Sequence, residues 1–416
     1  MGERVLVLGA GPAGLAAALA ASGAGMAVTL VDAQPEPGGQ IWRGQWSGTA
    51  RGEAGRIFAE LRASAVTLRL ERRIIAAPQA GLLNVCGPSG PEPLPYDRLV
   101  LATGARERFL PFPGWTLPGV LGAGGLQVLV KDGLDVRGKR VVVAGTGPLL
   151  LAVAAHLRAK GARVLAVAEQ APRRALRGLA SELLRRPRLL LQGLGFLGLP
   201  LSHDAWVTRA EGDAQLRRLH LRTPSGTQVL EVDLLAVGFG LIPNLELPHL
   251  LGCACADGRV TIDAAQRTSL PHVFAAGEPT GVGGVEKALA EGRVAGLMAA
   301  GRIAEAAPLV RQAQRGRAWA QALATAFALR PELRDLPEPS TLLCRCEDVA
   351  VGEVHTLARG RDARLHARCG MGRCQGRTCG PAAEFLYGWT PGGPRLPLVP
   401  TTFADLVTSL SQPEQP

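Results

Sequence analysis

"VLVLGAGPAGLAAALA", Val5 to Ala20, is the stretch whose reading decides the fold. An apolar run ending at Leu8 enters a glycine turn, and the turn opens into an alanine- and leucine-rich helix. A second apolar run, "AVTLVD", ends at Asp32 and completes a βαβ unit. The glycines have separate tasks. Gly9 permits the tight turn, Gly11 lets backbone N–H groups approach a pyrophosphate at the positive end of the helix, and Gly14 lets helix and strand pack closely. Asp32 stands where a strand-end carboxylate receives ribose hydroxyls. Strand before, helix after and an acid at this distance predict dinucleotide binding rather than a chance glycine-rich turn.

Further along, "EPGGQIW" (Glu36 to Trp42) follows the acid, and "LVLATGARER" (Leu99 to Arg108) reads as a short buried strand ending in a glycine turn. "HVFAAGEPTGVGGVEKALAEGRVAG" (His272 to Gly296) adds a strand, a turn at Gly277-Glu278, and a helix preceded by Gly281, Gly283 and Gly284. This set resembles the two-dinucleotide-binding flavoprotein family of glutathione-reductase-like topology, over about residues 1 to 300. The resemblance implies FAD held by the first and last segments. Its contacts would be Gly9, Gly11, Pro12, Ala13, Gly14 and Asp32 from the first segment, with Gly39, Gln40, Ala102, Thr103 and Gly104. Gly277, Glu278 and Gly284 would complete the set. In that family the acid after "AAG" is commonly Asp; here it is Glu278, one methylene longer.

Between these halves "KRVVVAGTGPLLLAVAAHLRAKGARVLAVAE" (Lys139 to Glu169) repeats the βαβ pattern, as an inserted NAD(P)H domain would. The pattern is altered. Leu150 takes the third glycine position, where a side chain is expected to force the helix outward, and Ala152 stands where the family usually has Glu. Gly145, Gly147, Glu169 and Arg173 remain as candidate contacts for a second nucleotide. Three readings stay open: productive NAD(P)H use, retention of an adenine nucleotide such as ATP or NAD(P), or a domain with structural value only. No Cys-x-x-Cys pair occurs in this region, so disulfide-reductase chemistry lacks its redox residues.

A chain of 416 residues is expected to divide into two to four domains. With 47% hydrophobic residues, 53 Gly and few aromatics it suits alternating strands and closely packed helices, and reads as α/β. The formal charge of +11 arises mainly from dispersed Arg, without the basic stripe interleaved with aromatics that a nucleic-acid groove requires, so no nucleic-acid partner is expected. No run reaches a membrane span and none reads as a signal peptide. The expected location is cytoplasmic, with any inner-membrane association peripheral and through partners. "LLLQGLGFLGLPL" (Leu189 to Leu201) is expected to be an internal strand and interface loop. The seven His show no metal or hydrolase pattern, and no catalytic base is assigned.

Five of the eight cysteines gather near the C-terminus, in "CRCEDV" (Cys344 to Val349) and "CGMGRCQGRTCG" (Cys369 to Gly380). Zinc, a disulfide framework and an iron–sulfur cluster are the alternatives. A reducing compartment argues against disulfides, and Cys-x-Cys is a poor zinc knuckle. Closely spaced thiolates with intervening glycines suit a two-iron cluster, because glycines let N–H groups turn toward the sulfurs. The segment resembles the bacterioferritin-associated-ferredoxin-like 2Fe-2S domain, with Cys-x4-Cys in place of Cys-x2-Cys as the second pair. On that basis the ligands are Cys344, Cys346, Cys374 and Cys379, with Cys369 a neighbour.

The full order resembles the α subunits of heteromeric FAD/2Fe-2S amino-acid dehydrogenases, the family of D-hydroxyproline dehydrogenase, opine oxidase and hydrogen cyanide synthase. The fold expected is α/β, with two Rossmann-like dinucleotide-binding domains (glutathione-reductase-like) followed by a small C-terminal 2Fe-2S domain. Its boundaries are FAD domain 1–107 and 240–302, NAD(P)-binding-like domain 108–239, helical bridge and linker 303–340, and 2Fe-2S domain with tail 341–416. The resemblance implies a hetero-oligomer with a substrate-oxidising, FAD-containing β subunit. It leaves room for FMN at an interface between chains and for a small ferredoxin-like subunit. The other readings are a self-sufficient NAD(P)H-dependent ferredoxin-type reductase and a non-enzymatic assembly subunit. The Pro-rich end "TPGGPRLPLVPTTFADL" is expected to dock on another subunit.

Overall fold

The computed structural model describes residues 3–48, 50–184, 186–390 and 392–410. The chain forms two compact units. The first comprises Met1–Arg106, Ile242–Gln321 and Gly393–Pro416, and the second Glu107–Leu241 and Ala322–Gly392.

In the first unit the opening strand, Arg4–Leu8, lies at the centre of a five-stranded sheet. The order runs Val273–Ala275, Arg98–Leu101, Arg4–Leu8, Ala27–Val31, Thr67–Arg69, and every pairing is parallel. A central parallel strand is covered on both faces, which is why it reads as an unbroken apolar run. Side chains alternate along it. Val5 and Val7 enter one core with the first helix, Pro12–Gly23, and the helix Val285–Ala299. Leu6 and Leu8 enter the opposite core with Leu83 and Leu398. The two helices touch along their backbones. A Cβ on Gly292 would stand 2.1 Å from the Ala13 carbonyl oxygen, and one on Gly296 would stand 2.2 Å from that of Ala17.

The second unit repeats the plan, with strand order Leu201–His203, Arg163–Glu169, Arg140–Thr146, Leu234–Phe239, Val120–Gly122. Helices Ala123–Lys131 and Leu149–Ala159 pack on one face through Leu126, Leu150 and Val153. On the other face Val142, Ala144 and Val237 share a core with the meander of Trp206–Glu211, Arg218–Thr223 and Gly226–Glu231, and with Leu343, Cys344 and Val354 of the cysteine segment. That segment consists of a short hairpin, Leu342–Cys344 with Val349–Ala350, and helices that include Gly360–Ala367 and Cys379–Tyr387. The Trp115 indole N–H donates to the Leu342 carbonyl at 2.7 Å.

One expectation is corrected. Within Leu189 to Leu201 the chain is helical over Pro187–Leu194, and a strand begins only at Leu201. Leu191, Leu194 and Leu197 are exposed at three-residue spacing, a helical and turn period rather than the alternation of a strand. Within the Pro-rich end, Leu398 packs into the core of the first unit. The Leu398 N–H donates to the Ile75 carbonyl at 2.9 Å, and its side chain is buried. Residues Ile303–Ala326 form a single long helix. Among the described residues no helix is long and apolar enough to cross a membrane.

Candidate functional site: a dinucleotide cradle and a cysteine cluster

The first site is built where the strand Arg4–Leu8 becomes a helix. Gly9 turns the chain at φ +103°, and a Cβ there would meet the Ala102 carbonyl oxygen at 2.2 Å. A Cβ on Gly14 would stand 1.7 Å from the Gly9 carbonyl oxygen, so the turn exists only with hydrogen at both positions. The Gly38 N–H donates to the Ala10 carbonyl at 2.7 Å, bringing Gly39 against Gly11. Gln40 beside it is exposed. Asp32 Oδ2 accepts the Ala10 N–H at 2.6 Å and Oδ1 the Gln34 N–H at 2.8 Å. Burial pushes its carboxyl above the ordinary range, and these N–H groups oppose the shift.

Thr103 is pinned by Asn244. The Thr103 hydroxyl donates to the Asn244 carbonyl, and the Asn244 amide donates to the Thr103 carbonyl, each at 2.9 Å. The Gly104 carbonyl accepts the Asn244 N–H at 3.0 Å. At the other end the Gly277 turn touches Ala13, since a Cβ on Gly277 would stand 2.7 Å from Ala13 Cβ. Glu278 Oε2 and Oε1 accept the N–H groups of Gly283 and Gly284, each at 3.1 Å. Burial, the largest influence on Glu278, pushes its carboxyl up, and the Lys287 charge pulls it down.

Behind this turn lies a buried network that sequence reading missed. Lys287 Nζ donates to the Gly277 carbonyl (2.7 Å), Thr280 Oγ1 (2.8 Å) and Glu291 Oε2 (2.7 Å). The same Glu291 oxygen accepts the Gly277 N–H at 2.9 Å and the Thr280 hydroxyl at 2.7 Å. The signal in the sequence was a Lys and a Glu four apart, Lys287 and Glu291, in a helix that also carries Glu286 and Arg293. The site therefore joins a side-chain-free turn, a strand-end acid, and the N-termini of Pro12–Gly23 and Val285–Ala299. Both helix ends carry partial positive charge, and the cradle is one that a Cβ would fill, so it fits a dinucleotide pyrophosphate.

The corresponding turn of the second unit differs. Gly145 approaches Gly238, while Leu150 is buried in the core with Val143 and Val153 where the first site has Gly14. Glu169 Oε2 accepts the Gly147 N–H at 2.7 Å, and Oε1 accepts the Thr146 hydroxyl at 2.7 Å and the Ala171 N–H at 2.8 Å. Burial pushes its carboxyl up. Next to it the linker crosses the turn. Gln170 Nε2 donates to Thr146 Oγ1 and to the Ala328 carbonyl, both at 3.0 Å, and Gln170 Oε1 accepts the Arg330 N–H at 3.0 Å. The Arg330 guanidinium lies 4.1 Å over the Trp206 ring. Arg173 opens the helix Arg173–Leu184 and is exposed; burial first, and then the Arg173 charge, lower the pKa of His203.

In the cysteine segment Cys344, Cys369 and Cys379 are buried, with Sγ atoms all within 4.8 Å of one another. The Gly370 N–H donates to Cys344 Sγ at 3.4 Å. Hydrogen bonds from Cys369 and then Cys379 hold the Cys344 thiol far below its ordinary range, while the bond to Cys344 pushes Cys369 up to about 12. Cys346 and Cys374 interact with each other outside this group. Of the four expected ligands the structure places two in the buried trio and two in the second pair, and it adds Cys369 to the trio. Three converging buried sulfurs, with a backbone N–H aimed at one and a second cysteine pair in the same segment, are a soft donor set that fits iron or zinc.

Residues 3–299, which contain both glycine turns, match the model of the pyridine nucleotide-disulphide oxidoreductase family. The chain belongs to this family. It is an oxidoreductase, and the family supports FAD binding. The match ends before the first clustered cysteine. The oxidoreductase is 32% identical to hydrogen cyanide synthase subunit HcnB of Pseudomonas protegens, over 96% of this chain and 96% of that one. It is 34% identical to a protein of Rhizobium meliloti named as one of the subunits of opine oxidase, over 92% of each. Its fold is similar to that of L-proline dehydrogenase from P. horikoshii, with TM-score 0.70 and 19% identity over 97% of this chain and 80% of that one. Thioredoxin reductase of T. acidophilum gives a TM-score of 0.55 at 22% identity, over 72% of this chain and 99% of that one.

Proposed function

We propose that this oxidoreductase is the electron-transferring flavoprotein/iron–sulfur subunit of a heteromeric amino-acid dehydrogenase of the D-hydroxyproline or opine type. One observation carries the reading: a side-chain-free dinucleotide cradle and a buried cysteine cluster occur in the same chain. Similarity along nearly the whole length to proteins named as subunits supports it. Substrate oxidation then belongs to a separate FAD-containing β subunit; interfacial FMN and a small ferredoxin-like subunit fit the same arrangement.

Under this reading FAD is held by the Gly9–Gly14 turn, Asp32, the 39–40 and 102–104 loops, and the Gly277–Gly284 segment. The 2Fe-2S cluster is held by Cys344, Cys346, Cys374 and Cys379. When bound, the flavin exchanges electrons in pairs or singly and the cluster carries one, so together they supply conversion and conduction. The chain's own residues orient and neutralise. The two helix N-termini receive pyrophosphate charge, Asp32 receives ribose hydroxyls, and Lys287 with Glu291 fixes the Gly277–Thr280 turn. The Gly370 N–H stabilises the Cys344 thiolate.

The test is to purify the chain alone and with its β partner, and to assay D-hydroxyproline, proline and opines with an artificial electron acceptor. The complex is expected to turn over one of them and the isolated chain none; comparable turnover by the isolated chain overturns the reading. The NAD(P)H-dependent ferredoxin-type reductase is favoured by the Glu169–Gly147 contact, the geometry of a ribose-binding acid. Bleaching of the isolated flavoprotein by NADH would establish it, and ATP binding without bleaching would establish retention of an adenine nucleotide.

A further inference from the structure

Four thiolates complete a 2Fe-2S cluster, and this segment presents five. The fifth is not placed at random. Arg368 ends the helix Gly360–Ala367 in the left-handed conformation at φ 58°, and Gly370 follows at φ +80°. Between these two turns the Cys369 side chain is directed into the protein. Its Sγ lies within 4.8 Å of both Cys344 and Cys379, and all three residues are buried. Sulfurs bound tetrahedrally at about 2.3 Å from one metal stand about 3.8 Å apart. Cys344 can therefore share an iron with either of the other two after a small side-chain rotation. Cys344 itself is singled out by the Gly370 N–H at 3.4 Å.

The geometry points to Cys369 as an alternative iron ligand: Cys344 and Cys379 hold one iron, and when Cys379 is lost Cys369 takes its place. The exchange is a ligand substitution with no change in oxidation state. The Cys369 thiol gives its proton to solvent, and an Fe–S bond to Cys369 forms where the bond to Cys379 is missing. The inference rests on the 2Fe-2S reading given above.

The experiment uses the full chain with its cofactors and measures iron, acid-labile sulfide and FAD in the unsubstituted protein and in Cys369→Ser, Cys379→Ser and the double variant. Visible and electron-paramagnetic-resonance spectra accompany each. Each single variant is expected to keep iron and sulfide at a ratio to FAD comparable to the unsubstituted protein. Cys379→Ser is expected to show shifted resonance positions, and the double variant to lose iron and sulfide while keeping FAD. Cys379→Ala repeats the comparison where serine perturbs the start of its helix. Loss of the cluster from the Cys379 single variants, to the level of the double variant, overturns the inference. So does its loss from Cys369→Ser, which would make Cys369 obligatory. Absence of iron and sulfide from the unsubstituted protein instead defeats the 2Fe-2S reading, and the two failures are told apart by that control.

Discussion

Lys287 spends all three of its ammonium protons inside the protein, on the Gly277 carbonyl, Thr280 and Glu291. The pair is essentially unexposed, with side chains at 1% and 0% of their free surface. Removing one partner of a buried pair costs about 3–5 kcal/mol where the remaining charge is uncompensated; here Arg317 stays 3.8 Å from Glu291, so that range is an upper bound. Lys287→Met is therefore expected to lower the unfolding free energy by up to that amount, seen as a lowered urea midpoint, and to weaken FAD retention, because the Gly277–Thr280 turn loses its anchor; equilibrium unfolding and flavin titration check both. Glu278 lends itself to a pH test. Burial raises its folded-state pKa, so its contribution to stability is fully present below its unfolded value of about 4.3 and is lost as pH rises through the higher folded value. In the cofactor-free chain Glu278→Gln should make the fall in stability on that alkaline side shallower, with the slope of unfolding free energy against pH as the readout. The cradle's glycines and Asp32 were legible because each is required by its own turn or strand end. Lys287 and Glu291 were not, since only the packed helix shows that they face inward.

The contact between the helices Pro12–Gly23 and Val285–Ala299 depends on small residues at four-residue spacing, Ala13 and Ala17 opposite Gly292 and Gly296. A side chain at Gly292 would meet the Ala13 backbone, which cannot yield as a flexible side chain would. Gly292→Val is expected to cost at least the 1–3 kcal/mol, roughly, of an overpacked core and to release FAD, measurable as lowered thermal midpoint and flavin content. The linker across the second turn is a different kind of contact, held by Gln170, Ala328 and Arg330. Arg330→Ala keeps the backbone N–H to Gln170 but removes the guanidinium from the Gln170 carbonyl and the Trp206 ring, and is expected to raise amide hydrogen exchange over 327–332 while leaving the first sheet protected. Strands and helices of both βαβ units could be read from local periodicity. The Thr103–Asn244 and Gln170–Arg330 contacts join residues 141 and 160 positions apart, so no local pattern reports them. The helix Pro187–Leu194 was misread because a short leucine-rich run suits either element until its exposed spacing is seen.

At the scale of the whole molecule the chain passes between its two units four times, and its residues 393–410 belong with the first. Leu398 supplies an N–H to Ile75 and a buried side chain to the core of Leu6, Leu8 and Leu83. Leu398→Ala is expected to cost about 2–5 kcal/mol, as large-to-small core changes do, read as a lowered urea midpoint of the flavin-binding unit. The same connectivity has a consequence for biosynthesis. The strand Arg98–Leu101 pairs on one side with Val273–Ala275. On a ribosome adding about 5–20 residues per second, that edge of the nascent sheet stays open for on the order of ten seconds before its neighbour emerges. During that interval the apolar faces of the half-made sheet are available to chaperones and to other nascent chains. Yield in cells should therefore respond to translation speed and to growth temperature more steeply than the stability of the finished protein would suggest.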